Sequence, residues 1–201
     1  MMTSKKNRSS RIRNTLLKES LASFNNSGYT KTSVHLLAER AGIRSVQVRK
    51  YFPTKRDIFK ALFDEERIKV RNRLDSLFNG VDVTQRSAVS ETLKGSYGIL
   101  QESAILRMIY RFDDFPVWYC IGESGKGSIP DYGETSLLEN FLKRCQNSGA
   151  LRSENVSLIA HTFRSALSMM LHDPGFRQES PETGSLFLDI FVDGLMKSGN
   201  D

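Results

Sequence analysis

Apolar residues recur every three or four positions along nearly the whole chain, and no segment shows the alternation that is typical of a β-strand. The spacing predicts about nine helices. One short helix is expected between Ser33 and Gly42, and the others cover residues 10–25, 44–50, 55–78, 85–101, 104–114, 134–147, 154–171 and 182–197. Residues 115–133 contain four glycines, so we expect a long loop there. The chain is therefore predicted to be all-α.

The segment from Gly28 to Phe63 has the most specific pattern. The hydroxyl oxygens of Thr32 and Ser33 can accept hydrogen bonds from the first backbone N–H groups of a helix. Gly42 can adopt the positive φ that ends that helix abruptly. The next helix, about 44–50, is short and basic. This layout is typical of a helix-turn-helix, whose second helix lies in the major groove of DNA.

The distribution of charge agrees with this interpretation. Residues 1–60 contain 14 basic and three acidic residues, a net charge of +11, whereas residues 61–201 contain 15 basic and 20 acidic residues, a net charge of −5. A basic N-terminal third can neutralise DNA phosphates. A solubilising tail would explain the basic residues of the first ten positions, but it explains Arg44, Arg49 and Lys50 on one short helix poorly.

Two runs within this segment carry a family resemblance. They read G-Y-x-x-T-S-V-x-x-L-A-x-x-A-G-I and V-x-x-Y-F-x-T-K-x-x-I-F. Together they resemble the N-terminal DNA-binding domain of the TetR family of bacterial transcriptional regulators, over residues of about 10–63. The resemblance implies a three-helix helix-turn-helix domain followed by a helical effector and dimerisation domain. We therefore expect a basic flexible arm over 1–9, the DNA-binding domain over 10–54 and the ligand-binding and dimerisation domain over 55–201.

The recognition helix departs from the usual family pattern, Ser-x-Gly-Thr-hydrophobic-Tyr. Val46 stands in place of the glycine and can meet a thymine methyl group, while Arg49 replaces the tyrosine and suits guanine or a phosphate. Gln47 can read adenine, and Ser45 is the nearest capping hydroxyl, one position late. These departures affect which operator is bound. The expected DNA-binding residues are Thr32, Ser33, Arg44, Ser45, Val46, Gln47, Arg49, Lys50, Tyr51 and Lys55.

Some of these residues have a second interpretation. Tyr51 and Lys55 match family positions that touch phosphates, and the charge of Lys55 at the start of a helix favours a nearby anion. For Thr32 and Ser33, helix capping alone is a serious alternative to a phosphate contact.

The resemblance also implies sites in the C-terminal two-thirds of the chain. The last two helices carry apolar seams, which either pack in the core of a monomer or form a four-helix bundle with a second copy, as in homodimers of the family. The expected interface residues are Val156, Phe163, Leu167, Phe187, Ile190, Phe191 and Gly194. The expected effector pocket contains Tyr97, Met108, Phe112, Trp118, Phe141, Phe163 and Met169, although each of these could be ordinary core.

The sequence carries no signature of an enzyme, a cofactor site or a metal site. The glycines from 122 to 127 do not have phosphate-loop spacing, and the histidines lack metal-ligand spacing. Cys120 and Cys145 are too few for a disulfide framework. No apolar run approaches the roughly 20 residues of a membrane span, and the N-terminus has no signal-peptide core. We expect a cytoplasmic protein without a cofactor.

The leading hypothesis is a dimeric transcriptional regulator, most often a repressor in this family, that releases a palindromic operator when a small-molecule effector binds. The helix over 55–78 joins the two expected domains and would transmit the change. The alternative is a DNA-binding protein of the same family whose C-terminal domain docks a protein partner, through the loop 115–133 for example.

Overall fold

The computed structural model describes residues 2–111, 134–173, 176 and 181–197. Over these residues the protein forms nine α-helices and no β-strand, with one isolated antiparallel bridge between Leu151 and Met196. The all-α prediction is therefore confirmed. The helices are α1 (Met2–Ser27), α2 (Val34–Arg40), α3 (Ser45–Tyr51), α4 (Lys55–Asn79), α5 (Arg86–Glu102), α6 (Ala104–Arg111), α7 (Glu134–Asn147), α8 (Val156–His172) and α9 (Pro181–Leu195).

The observed divisions of the chain differ from the predicted ones at two places. Helix α1 begins at Met2, not near residue 10, so it includes the positions that were assigned to a flexible arm. The described residues form two compact units, which are residues 2–67 with α6, and residues 68–103 with α7 to α9. The division thus falls within α4 and not before it. The predicted loop 115–133 and the last three residues of the predicted sixth helix lie outside the described residues.

Aromatic side chains form the centre of the first unit. The ring centroid of Phe24 lies 5.4 Å from that of Tyr29 and 5.9 Å from that of Phe59, and Tyr29 meets Phe59 edge-on at 5.4 Å. Leu16 and Leu37 of the same unit are fully buried. Tilted and edge-on arrangements of this kind contribute packing energy beyond the apolar area that they bury. This cluster joins α1, the turn before α2 and α4.

The connection between α2 and α3 is a Schellman turn. Gly42 adopts a φ of +67°, its N–H donates to the carbonyl of Glu39 at 3.0 Å, and the N–H of Ile43 donates to that of Ala38 at 3.0 Å. These bonds satisfy carbonyl groups that the end of a helix would leave without donors. The predicted positive φ at Gly42 is confirmed.

Helix α4 begins with a capping box formed by Thr54 and Asp57. The Asp57 carboxylate accepts hydrogen bonds from the Thr54 backbone N–H at 2.9 Å and from the Thr54 hydroxyl at 2.7 Å. The Thr54 hydroxyl oxygen in turn accepts from the Asp57 N–H at 3.2 Å. The box fixes where α4 starts, with three residues between it and the end of α3.

The second unit is held by packing and by a few polar contacts. Phe78 and Phe141 stack with their ring centroids 4.8 Å apart. The Arg144 guanidinium donates to the Phe78 carbonyl at 3.1 Å near the end of α4, and Lys94 of α5 pairs with Asp189 of α9 at 2.6 Å.

Burial raises the pKa of the Cys145 thiol to about 12, so it stays protonated at neutral pH and is a poor nucleophile.

We predict that Gly42→Ala lowers the free energy of unfolding by about 1–2 kcal/mol, because an alanine at positive φ is strained. No atom within 4 Å would obstruct the added methyl group, so strain in the backbone is the only cost that the geometry indicates. Gly98→Ala is the matched control, since Gly98 lies within α5, also has no atom within 4 Å of the added carbon, and has no positive φ. Alanine should be neutral or stabilising there, by up to about 1 kcal/mol. Urea denaturation would measure both variants, and equal effects would contradict the explanation.

Candidate nucleic-acid interface

Helix α3 presents one face to the core and the other to solvent. Val48 is completely buried, and Phe52, which follows the helix, is buried as well. On the opposite side Val46 is 73% exposed, which is unusual for a valine on a helix of a folded domain. The other exposed residues of this face are Arg44, Gln47, Arg49 and Lys50. The face therefore combines three cations, an amide and a methyl-bearing side chain, which are the groups that read bases and phosphates.

The start of α3 is built differently from the prediction. Its N-cap is Arg44, whose side chain makes no capping bond, and the Gln47 side-chain oxygen accepts from the Arg44 backbone N–H at 3.2 Å. Ser45 is the first residue of the helix and does not cap it. Its hydroxyl lies instead 3.2 Å from Nδ1 of His35 on α2. Sequence reasoning missed His35, because only the turn at Gly42 brings the two positions together.

The two hydroxyl residues before α2 have separate roles. Ser33 is exposed and caps α2, since its oxygen accepts from the Leu36 N–H at 3.1 Å. Thr32 is only 1% exposed, and its hydroxyl donates to the Gly28 carbonyl at 2.8 Å. Thr32 thus closes the turn after α1. Its buried hydroxyl does not face solvent, which argues against the predicted phosphate contact.

Lys55 also turns inward. Its ammonium donates to the carbonyl oxygens of Tyr29 at 2.8 Å and of Thr32 at 2.9 Å, and it lies 4.2 Å from the centroid of the Tyr29 ring. A charged donor to two carbonyls with a cation–π contact is a stabilising arrangement. These contacts give Lys55 a role in holding the turn before α2, and its expected contact with a phosphate stays a prediction.

Two arginines connect the helix-turn-helix to the neighbouring helices α1 and α4. Arg13 of α1 places its guanidinium 5.4 Å from the centroid of Phe52 and pairs with Glu65 of α4 at 3.0 Å. Arg40, at the end of α2, donates to the Ser23 hydroxyl at 2.9 Å. Tyr51, an expected phosphate contact, is half-buried. These contacts tie the elements around α3 to α1 and α4 and thereby help to orient its exposed face.

The structure distributes the expected effector-pocket residues over both cores. Tyr97, Phe141 and Phe163 are buried in the second unit, and Met108 is buried in the first. Met169 is 46% exposed on α8. Phe112 and Trp118 lie outside the described residues. Burial of Tyr97, Met108, Phe141 and Phe163 is compatible with ordinary packing, and the effector pocket stays a prediction.

The expected interface residues on α8 and α9 also separate by burial. Phe163 and Leu167 are buried within the unit, Val156, Phe187 and Phe191 are half-buried, and Ile190 and Gly194 are exposed. The apolar side chains that face solvent include two that the expected interface omitted, Leu158 and Leu186. We call the exposed set the apolar face; it consists of Leu158, Met169, Leu186 and Ile190.

Comparisons with known proteins agree with this geometry. Residues 16–62 match the family model described as bacterial regulatory proteins, tetR family, which confirms the resemblance found in the sequence. The matched residues run from α1 into α4 and include all of α2 and α3. No curated protein matches the chain. Among the helices that the structure describes, none is both long enough and apolar enough to cross a membrane.

Solved structures show the same fold over most of the chain. The fatty acid degradation regulator FadR from Bacillus halodurans superposes with a TM-score of 0.69 at 17% identity, covering 94% of this chain and 96% of FadR. SmeT, the repressor of the Stenotrophomonas maltophilia multidrug efflux pump SmeDEF, gives 0.67 at 19% identity, covering 93% and 91%. A complex of SmeT with triclosan gives 0.66 at 20% identity, covering 94% and 93%. At these identities the likeness establishes the fold alone.

We predict that two lysines of this region have different roles, one in stability and the other in DNA binding. Lys55→Met should lower the free energy of unfolding by about 1–3 kcal/mol, because the carbonyls of Tyr29 and Thr32 lose a charged donor. Lys50→Met removes an exposed cation and should change stability by no more than about 0.5 kcal/mol, while weakening DNA binding. Thermal unfolding and a DNA-binding titration, run on both variants, separate the two roles. If Lys55→Met were as stable as the wild type but bound DNA more weakly, the result would support a contact between Lys55 and a phosphate.

Proposed function

We propose that this chain, whose N-terminal domain is of the TetR family of bacterial regulatory proteins, binds double-stranded DNA and regulates transcription. The observation that carries the proposal is the exposed face of α3. Arg44, Arg49 and Lys50 lie there beside Val46 and Gln47, on a helix anchored by buried Val48. A recognition helix of a helix-turn-helix protein has this division between an inner anchor and an outer reading face.

Electrostatics support DNA as the ligand. The first 60 residues carry a net charge of +11. The exposed cations of α3 add hydrogen-bond donors that can reach DNA phosphates and bases. Phosphate contacts of this kind release counterions, so the affinity should fall steeply as salt is added. The arginine fork suits guanine and the glutamine amide suits adenine, which would give the complex its sequence preference.

We propose that the protein acts as a homodimer through the apolar face of α8 and α9. Leu158, Leu186 and Ile190 are each more than half exposed. Gly194 of α9 has no atom within 4 Å of the position that a side chain would occupy, which lets a partner approach closely. A second copy would cover these residues and present two α3 helices to half-sites about 34 Å apart. The operator is then a palindrome.

A small-molecule effector would release the operator in this proposal. The support is the similarity of fold to SmeT, which forms a complex with triclosan. An effector changes DNA affinity only if it binds the conformation that is unable to bind DNA more tightly than the competent one, and the coupling must be reciprocal. The second candidate is a C-terminal domain that docks a protein partner, in which case the buried side chains of Tyr97, Phe141 and Phe163 would belong to ordinary core packing. The effector would be supported by a ligand that weakens operator binding and whose own binding is weakened by operator DNA to the same extent.

The DNA-binding proposal is tested by selecting bound sequences from random duplexes. We expect a palindromic sequence for the wild type. Arg49→Ala should lose about 1–3 kcal/mol of binding free energy and relax the preference at one position in each half-site. The control is Arg86→Ala, which removes an exposed arginine from the start of α5 and should leave the selected sequence unchanged. If the wild type and Arg49→Ala selected the same DNA sequences, Arg49 would not be a residue that reads bases.

The dimer is tested by placing a charge on the apolar face. Ile190 is 65% exposed, so Ile190→Asp should fold normally but produce monomers, with operator affinity reduced by about 100-fold or more because the two half-sites are no longer engaged together. Ile68→Asp is the matched control, an isoleucine on α4 with 54% exposure outside this face. Sedimentation velocity at micromolar concentration should show monomers for the first variant and dimers for the second. A monomeric wild type would refute the proposal.

A further inference from the structure

We propose that His35 and Ser45 form a two-residue phosphate clip, in which the His35 ring binds a backbone phosphate of the operator and Ser45 holds the ring in place. The inference rests on the proposed DNA-binding function and adds one contact and one positioning residue to it. His35 would touch the phosphodiester, whereas Ser45 would act through His35.

The geometry that points to this pair is a contact between two different helices. His35 lies in the first turn of α2, and its Nδ1 is 3.2 Å from the hydroxyl oxygen of Ser45, the first residue of α3. His35 is exposed and Ser45 is half-buried. Ser45 is followed directly by Val46, the most exposed apolar residue of the reading face. The clip therefore lies at the edge of the surface that would face DNA.

The chemistry of the pair leaves one donor for a ligand. When the Ser45 hydroxyl donates to Nδ1, the imidazole carries its proton on Nε2. This hydrogen bond is the only one that the described residues give to the His35 ring, so Nε2 can donate to another molecule. A hydrogen bond to an anionic phosphate oxygen is stronger than one to a neutral acceptor, which gives the arrangement a use when DNA is bound.

Phosphate is a better match for the clip than a base edge. His35 belongs to α2, and in a helix-turn-helix the first helix crosses the DNA backbone while the second enters the groove. The neighbouring Ser33 is exposed as well, but its oxygen is engaged as the cap of α2. Contacts to the backbone fix the register of a protein on the duplex. We expect His35 to position α3 and to add little sequence preference of its own.

The test combines five proteins with operators that carry a single neutral methylphosphonate. The proteins are the wild type, His35→Ala, Ser45→Ala and the double variant, with Thr15→Ala, an exposed change on α1, as the control. We expect His35→Ala to weaken operator binding about tenfold and to leave the selected sequence unchanged. Ser45→Ala should weaken binding less, and the double variant should bind as His35→Ala does, because Ser45 acts through the ring.

The methylphosphonate operators identify the contact itself. One substituted phosphate in each half-site should weaken wild-type and Thr15→Ala binding about tenfold but should have little further effect on His35→Ala. Full sensitivity of His35→Ala at every phosphate would overturn the contact. Unchanged affinity of His35→Ala would overturn the clip while leaving the DNA-binding proposal intact. A wild type that binds no duplex specifically would refute that proposal, and the clip with it. Equal unfolding temperatures of the variants confirm that the losses arise at the interface.

Discussion

The left-handed backbone at Gly42 is the constraint on which the reading face depends. Its φ of +67° ends α2 and lets the chain turn directly into α3, and the bonds to Glu39 and Ala38 hold the angle between the two helices. Val48 then needs only to be buried for Val46 and Arg49 to face outward. A residue with a side chain would strain this turn, and any change in the turn would move the whole exposed face.

Polar side chains near the turn support the fold more than they offer charge to a ligand. Lys55 and Thr32 bind backbone carbonyls of the segment between α1 and α2, and Arg13 braces Phe52 against α4. Buried carbonyls without donors would be costly, so the hydrogen bonds from Lys55 and Thr32 stabilise the fold. The exposed cations of α3 remain available to a polyanion. This division gives the basic domain both a stabilised fold and charge at its surface.

The second unit combines a core of buried aromatic and aliphatic side chains with an exposed apolar face. Phe141, Phe163 and Leu167 complete its core, while Leu158, Leu186 and Ile190 remain at the surface of α8 and α9. Scattered exposed apolar residues are normal in soluble proteins, but several large ones on two helices of one unit indicate a site of interaction. We propose a second copy of the chain as the occupant of this face, which would also suit the palindromic operator that we expect.

The sequence by itself determined the features that depend on neighbouring residues. Helical spacing predicted the nine helices, and the turn at Gly42 and the capping box of Thr54 and Asp57 followed from local backbone chemistry. Tertiary structure decided which polar groups remained at the surface. Lys55 points inward, Phe163 belongs to the core, and His35 meets Ser45 ten positions away, because each outcome depends on which helices pack together. Spacing along one helix carries no information about that packing.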